Sequence, residues 1–149
     1  MSLLFLPVSA DMEFDCSNYD TVSGVLMEAL EATLAMGHPE PWGGYLALTE
    51  NQEAVGICAF KGTPDEARAV EPAWFTFPPY ENRGYGTRMA AHLVRVAAEN
   101  PDQVVQLIAH TEPEHNASAK ICERNGFELL GEIEHPQDGR VWRWSRSLR

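Results

Sequence analysis

The stretch from Trp74 to Thr87, WFTFPPYENRGYGT, most narrows the folds open to this chain. An aromatic, β-favouring run stops at Pro78-Pro79, a short turn follows, and Gly84 and Gly86 lead into a long amphipathic segment. From Thr87 the apolar positions Met89, Ala90, Leu93, Val94, Val96 and Ala97 recur at helical spacing. Asn100-Pro101 ends the pattern, because a residue before proline is pushed out of helical geometry. Glycines at a helix start clear side chains from the place where free backbone N–H groups point outward with partial positive charge. That arrangement holds anions, most often phosphate. The sequence contains no G-x-x-x-x-G-K-[ST], which excludes an ordinary P-loop. The dinucleotide fingerprint fails at its third glycine, where Met89 stands.

The 149 residues suit one domain, 1–149, with a proper core, and 44% hydrophobic and 22% charged content is that of a soluble globule. Three cysteines, Cys16, Cys58 and Cys122, lack C-x-x-C spacing, which argues against disulfides or zinc and fits the cytoplasm. Five histidines show no ligand spacing, so no metal is expected. No run approaches the roughly 18 apolar residues of a membrane span. The apolar start Ser2–Ala10 lacks a basic lead, its apolar core is short, and it reads as a strand rather than a signal peptide. A net charge of −11 opposes nucleic-acid binding. The acids are uneven: residues 1–60 hold nine Asp or Glu and no Lys or Arg, either a solvated face or a surface for a cationic partner.

In order, Asp20 or Thr21 caps a helix reaching Thr33, and Gly37–Gly44 is turn-rich. Strands are expected at Tyr45–Thr49 and Ala54–Phe60, then Arg68–Phe77, with Pro72 marking an edge or bulge. A strand at Val104–Ala109 precedes a helix Ala117–Arg124 capped by Asn116 and ended by Asn125-Gly126. Phe127–Glu134 and Arg140–Ser147 form a hairpin in which Trp142 and Trp144 share a face, offering a surface for a homodimer.

Glu81–Gly86 resembles R/Q-x-x-G-x-G/A, the pyrophosphate motif of GNAT superfamily N-acetyltransferases. His115–Phe127 resembles the superfamily's late helix, N-x-x-[AS]-x-x-hydrophobic-[YC]-x-x-x-G-F, with Ser118, Ile121 and Gly126-Phe127 in register. Glu71–Arg88 is most similar to the branch containing ribosomal-protein N-terminal-alanine acetyltransferases. The resemblance implies an α/β fold with a mixed, mostly antiparallel sheet of six or seven strands and about four helices. It implies acetyl-CoA as cosubstrate and direct acetyl transfer to a primary amine. Three positions depart from the pattern: Glu81 replaces Arg or Gln, His115 replaces Asn with Asn116 one place on, and Cys122 replaces the tyrosine that protonates the thiolate in many members.

By the same resemblance, the backbones of Phe75 and Phe77 hold pantetheine and polarise the acyl carbonyl. Asn82, Arg83, Gly84, Tyr85, Gly86 and Thr87 hold the pyrophosphate, with charge from Arg83 and Arg88 and a contact from Asn116. Glu71 is the base for the incoming amine, with His110 as the alternative. Ser118 donates to the departing sulfur, and Cys122 at helical spacing reads as core. The acidic segment Leu26–Gly44 with Trp42 suits a cationic amine, a class covering polyamines, aminoglycosides and protein N-termini. A non-catalytic acyl-CoA-binding domain is the competing reading, favoured by Glu81 and Cys122.

Overall fold

The computed structural model describes residues 3–8, 31–33, 35 and 39–148. Two four-stranded sheets carry the molecule. The first orders β1 (Leu4–Pro7), β2 (Gly44–Leu48), β3 (Ala54–Phe60) and β5 (Pro72–Thr76), all antiparallel. The second orders β4 (Ala69–Val70), β6 (Gln106–Thr111), β8 (Gly139–Ser147) and β7 (Glu128–His135), with β4 parallel to β6. Helix α1 spans Tyr85–Ala98 and α2 spans Ala117–Arg124. Residues 31–33 and 35 are helical, and most of the helix expected before Thr33 lies outside the described residues.

β2 and β3 are buried along their whole length, and α1 lays Met89, Leu93, Val96 and Ala97 on the sheet. Burying a Met or Leu side chain completely contributes about 1.5–3 kcal/mol. Gly56 makes the contact close: a Cβ there would stand 2.5 Å from the Phe75 carbonyl oxygen and 2.8 Å from Met89 Cε. The Asn100 amide donates to the Val96 carbonyl at 2.8 Å and finishes the helix just before Pro101.

Among the described residues eight strands appear where six or seven were expected, and one reason is that Arg68–Phe77 divides at Glu71. Backbone parity explains the division. Along a strand, one residue's N–H and C=O point to the same neighbour, and the next residue's point to the other. The Arg68 carbonyl accepts from Val105 N–H at 2.9 Å, so even positions face β6. The Glu71 carbonyl accepts from Lys61 N–H and Phe77 N–H donates to the Val55 carbonyl, so odd positions face β3. The next β6-facing donor after Val70 belongs to residue 72, and proline has none. The ladder to β6 stops there, and β5 continues paired with β3 alone.

The expected strand at Val104–Ala109 lies two residues later, at Gln106–Thr111, since Val104 is occupied closing the α1–β6 turn through Asn100. The expected helix Ala117–Arg124 is observed at those bounds, with Asn116 Oδ1 accepting from Ala119 N–H at 2.9 Å. Trp144 is buried and donates from Nε1 to Thr111 Oγ1, while Trp142 packs edge-on against it and His115. Of the two tryptophans proposed for dimer contact, Trp144 is turned inward and Trp142 is partly buried. Among the described residues no helix is long and apolar enough to cross a membrane.

Candidate active site

The strand that parts from β6 leaves a cleft of about 640 Å³ between β5, the turn into α1 and the start of α2. Trp74, Phe75 and Thr76 form one wall, Tyr80 to Asn82 and Gly84 to Thr87 the floor, and His115 to Ser118 with Lys120, Ile121 and Arg124 the other wall. By the parity above, the backbone groups facing the cleft are those of Trp74 and Thr76. Phe75 and Phe77, the residues chosen from sequence, direct theirs at β3. Phe77 is 0% exposed, donates its N–H to the Val55 carbonyl, accepts from Tyr80 N–H at its own carbonyl, and does not line the cleft. Phe75 contributes its ring instead, 44% exposed at the cleft mouth.

At the floor, Gly84 adopts φ +84° at the N-cap of α1 and Asn82 φ +63°, turning the chain so that the helix N-terminus opens onto the cleft. No side chain caps α1 and its first turn holds no acid. A Cβ on Gly84 would meet nothing within 4 Å, whereas one on Gly86 would stand 2.6 Å from Ile121 Cδ1. Gly84 thus supplies the turn and Gly86 the close approach of the two helices. Asn82, Gly84, Tyr85, Gly86 and Thr87 line the cleft; Arg83 and Arg88 do not. Arg83 lies over the Tyr80 ring at 5.7 Å. The cations on the cleft wall are Lys120 and Arg124, one turn apart on α2. Their i, i+4 spacing is visible in the sequence, but only the packing of α2 shows which face they take.

Asn116 and Ser118 both reach the cleft from the first turn of α2, Asn116 while serving as its cap. Glu81 lines the same floor with a carboxylate. Cys122, one turn after Ser118 on α2, is fully buried and does not line the cleft, and burial pushes its thiol up to about 12, with a smaller contribution from Glu123.

Glu71 sits where the strand leaves β6, and among the described residues its carboxylate is held by one oxygen only. His110 Nδ1 and Lys61 Nζ both lie 3.1 Å from Oε2. Arg143 Nε donates to His110 Nε2 at 3.1 Å. A guanidinium has donors only, so Nε2 is the bare nitrogen and the ring proton is on Nδ1, donated to Glu71. The His110 lone pair is occupied in this network, and among the described residues Glu71 Oε1 has no partner. Lys61 and Arg143 were not chosen from sequence; they lie 10 and 72 residues from Glu71, and only strand pairing brings them together.

A family model described as an acetyltransferase (GNAT) domain matches residues 17–128. The chain belongs to the GNAT acetyltransferase family. No curated protein matches the sequence. Among solved structures, a GNAT-family acetyltransferase from Bacillus anthracis aligns at TM-score 0.71 and 14% identity, covering 98% of this chain and 95% of that one. RimL, a ribosomal L7/L12 α-N-protein acetyltransferase in complex with coenzyme A, aligns at 0.67 and 16%, covering 90% and 77%. The aminoglycoside acetyltransferase AAC(6')-Ib in complex with coenzyme A aligns at 0.61 and 18%, covering 70% of this chain; the chain spans 65% of that protein. At these identities the likeness is one of fold. Among the described residues no group of His, Cys, Asp or Glu is placed to hold a metal.

Proposed function

We propose that this GNAT domain transfers the acetyl group of acetyl-CoA directly to a primary amine. The observation that carries the reading is the backbone edge of β5 that parts from β6 above the Gly84 turn; Glu71, which does not line the cleft, lies just before the other end of that strand. The cleft fits the cosubstrate: a polar edge for the pantetheine amides, an uncapped helix start with open space at Gly84 for the pyrophosphate, and Lys120 and Arg124 for its charge. Bound there, acetyl-CoA supplies an acyl thioester whose C–S bond is exchanged for the new C–N bond.

The chain's own groups divide the remaining work. The N–H groups of Trp74 and Thr76 donate to the acyl oxygen and amides alongside them. Glu71 Oε1 takes the proton of the incoming ammonium, directly or through one water, while His110 and Lys61 fix the carboxylate by its other oxygen. Ser118 donates to the departing sulfur, the role left open by the burial of Cys122. That burial also favours the second reading, an acyl-CoA-binding domain without turnover.

Calorimetric titration with acetyl-CoA, on the natural protein and on Gly84→Glu, tests the site. Micromolar or tighter binding that disappears in Gly84→Glu supports it, since the substitution fills the turn with bulk and negative charge. Absence of binding to either protein rules it out. Thiol release in the presence of amines, lost in Glu71→Gln with acetyl-CoA binding intact, separates catalysis from binding alone.

A further inference from the structure

The open oxygen of Glu71 has more positive charge around it than the one carboxylate balances. Lys61, 47% exposed, touches Oε2, and Arg143 lies beyond the His110 ring. The acids on the neighbouring strand, Glu132 and Glu134, are drawn to Arg140 at 3.6 Å each. Arg143 is half-buried and uses Nε alone; among the described residues its two terminal nitrogens have no partner. Its neighbour on β7 is Gly131, which places no side chain beside Arg143. A half-buried guanidinium with an unmatched fork suits a planar carboxylate, which it binds through two parallel hydrogen bonds.

We infer that the acceptor carries a carboxylate beside its amine: a free amino acid or a similar zwitterion, its amine at Glu71 Oε1 and its carboxylate on Arg143, with Lys61 adding charge. The inference rests on Glu71 being the base. It narrows the cationic acceptor expected from sequence. A polyamine or aminoglycoside sets further cations against Lys61 and Arg143, and a protein N-terminus brings an amide that leaves the fork unmatched.

The test compares free L-amino acids with their own carboxamides, which mimic a protein N-terminus, and with a linear polyamine, by thiol release from acetyl-CoA. The best amino acid is expected to exceed its carboxamide by about 30-fold in kcat/KM. Arg143→Lys and Lys61→Met should each lower that ratio at least about fivefold, whatever they do to the absolute rate. Calorimetric binding of the same amino acid to the CoA-loaded protein gives a readout independent of turnover. Binding that weakens in Arg143→Lys but persists in Glu71→Gln supports the inference. If such binding occurs without turnover, the base assignment fails and the carboxylate site stands. A carboxamide or polyamine used as well as the amino acid, or no amino-acid binding to the loaded protein, overturns it.

Discussion

At the scale of single residues, the proposed cosubstrate site contains one group that would work against its ligand. Glu81 lines the floor proposed for the pyrophosphate, where the family pattern has Arg or Gln. Removing that charge relieves a like-charge contact at an exposed site, so Glu81→Gln should bind acetyl-CoA about two- to fivefold more tightly at low salt. The gain should shrink as ionic strength rises. Titrations at two salt concentrations check this, and an unchanged or weaker affinity would show that Glu81 points away from the phosphates. Cys122 and Cys58 make the opposite case, groups with chemistry that the fold has silenced. Burial raises both thiols far above neutrality, so neither supplies thiolate to an alkylating reagent. Mass spectrometry after iodoacetamide treatment should find both unmodified in native buffer and both modified in denaturant. Labelling of Cys122 in native protein would reopen it as a cleft residue.

At the scale of elements, the strand at 68–77 shows what a sequence can and cannot carry. Its existence, the glycine turn after it, the α2 bounds and the Asn116 cap are written locally, in periodicity and capping chemistry, and the structure repeats them. Which backbone groups face the cleft is not local. The parity of 74 and 76 against 75 and 77 depends on which strand pairs on which side, and Pro72 decides only where pairing with β6 ends. For the same reason Glu71 and Ser118 could be proposed from their place in the motifs, while the positions of Lys61, Arg143, Lys120 and Arg124 needed the assembled sheets. The β5 edge in turn depends on Gly56 lying beneath it. Gly56→Ala drives a methyl against the Phe75 carbonyl and Met89 and should destabilise the domain by about 1–3 kcal/mol. Gly62→Ala, in open space, should be nearly neutral. Thermal unfolding compares the two; equal melting temperatures would mean that β5 is less closely packed than the structure shows.

At the scale of the whole molecule, the charge balance and one half-buried histidine pull stability in opposite directions as pH falls. With a net charge of −11, protonating surface acids relieves self-repulsion and on its own favours the folded state. His92 opposes this. It stacks on Phe5 at 4.0 Å, meets Tyr45 edge-on, and joins α1 to β1 and β2. Burial chiefly, and Arg95 beside it, lower its pKa from 6.5 to about 4. Because the folded value lies below the unfolded one, the unfolded chain takes up the extra proton first. Stability contributed by neutral His92 is complete above pH 6.5, falls between 6.5 and about 4, and is flat below. Allowing for the part of the ring that stays solvated, the loss is about 2 kcal/mol. His92→Phe keeps an aromatic ring on Phe5 and removes the proton site while leaving the acids unchanged. The difference in melting temperature between natural protein and variant should therefore shift in the variant's favour by several degrees, roughly 4–8 °C, as pH drops from 7 to 4. A difference that stays constant across that range would mean that the His92 ring reaches water in the folded protein, and the α1–β1 junction would then be looser than its stacking implies.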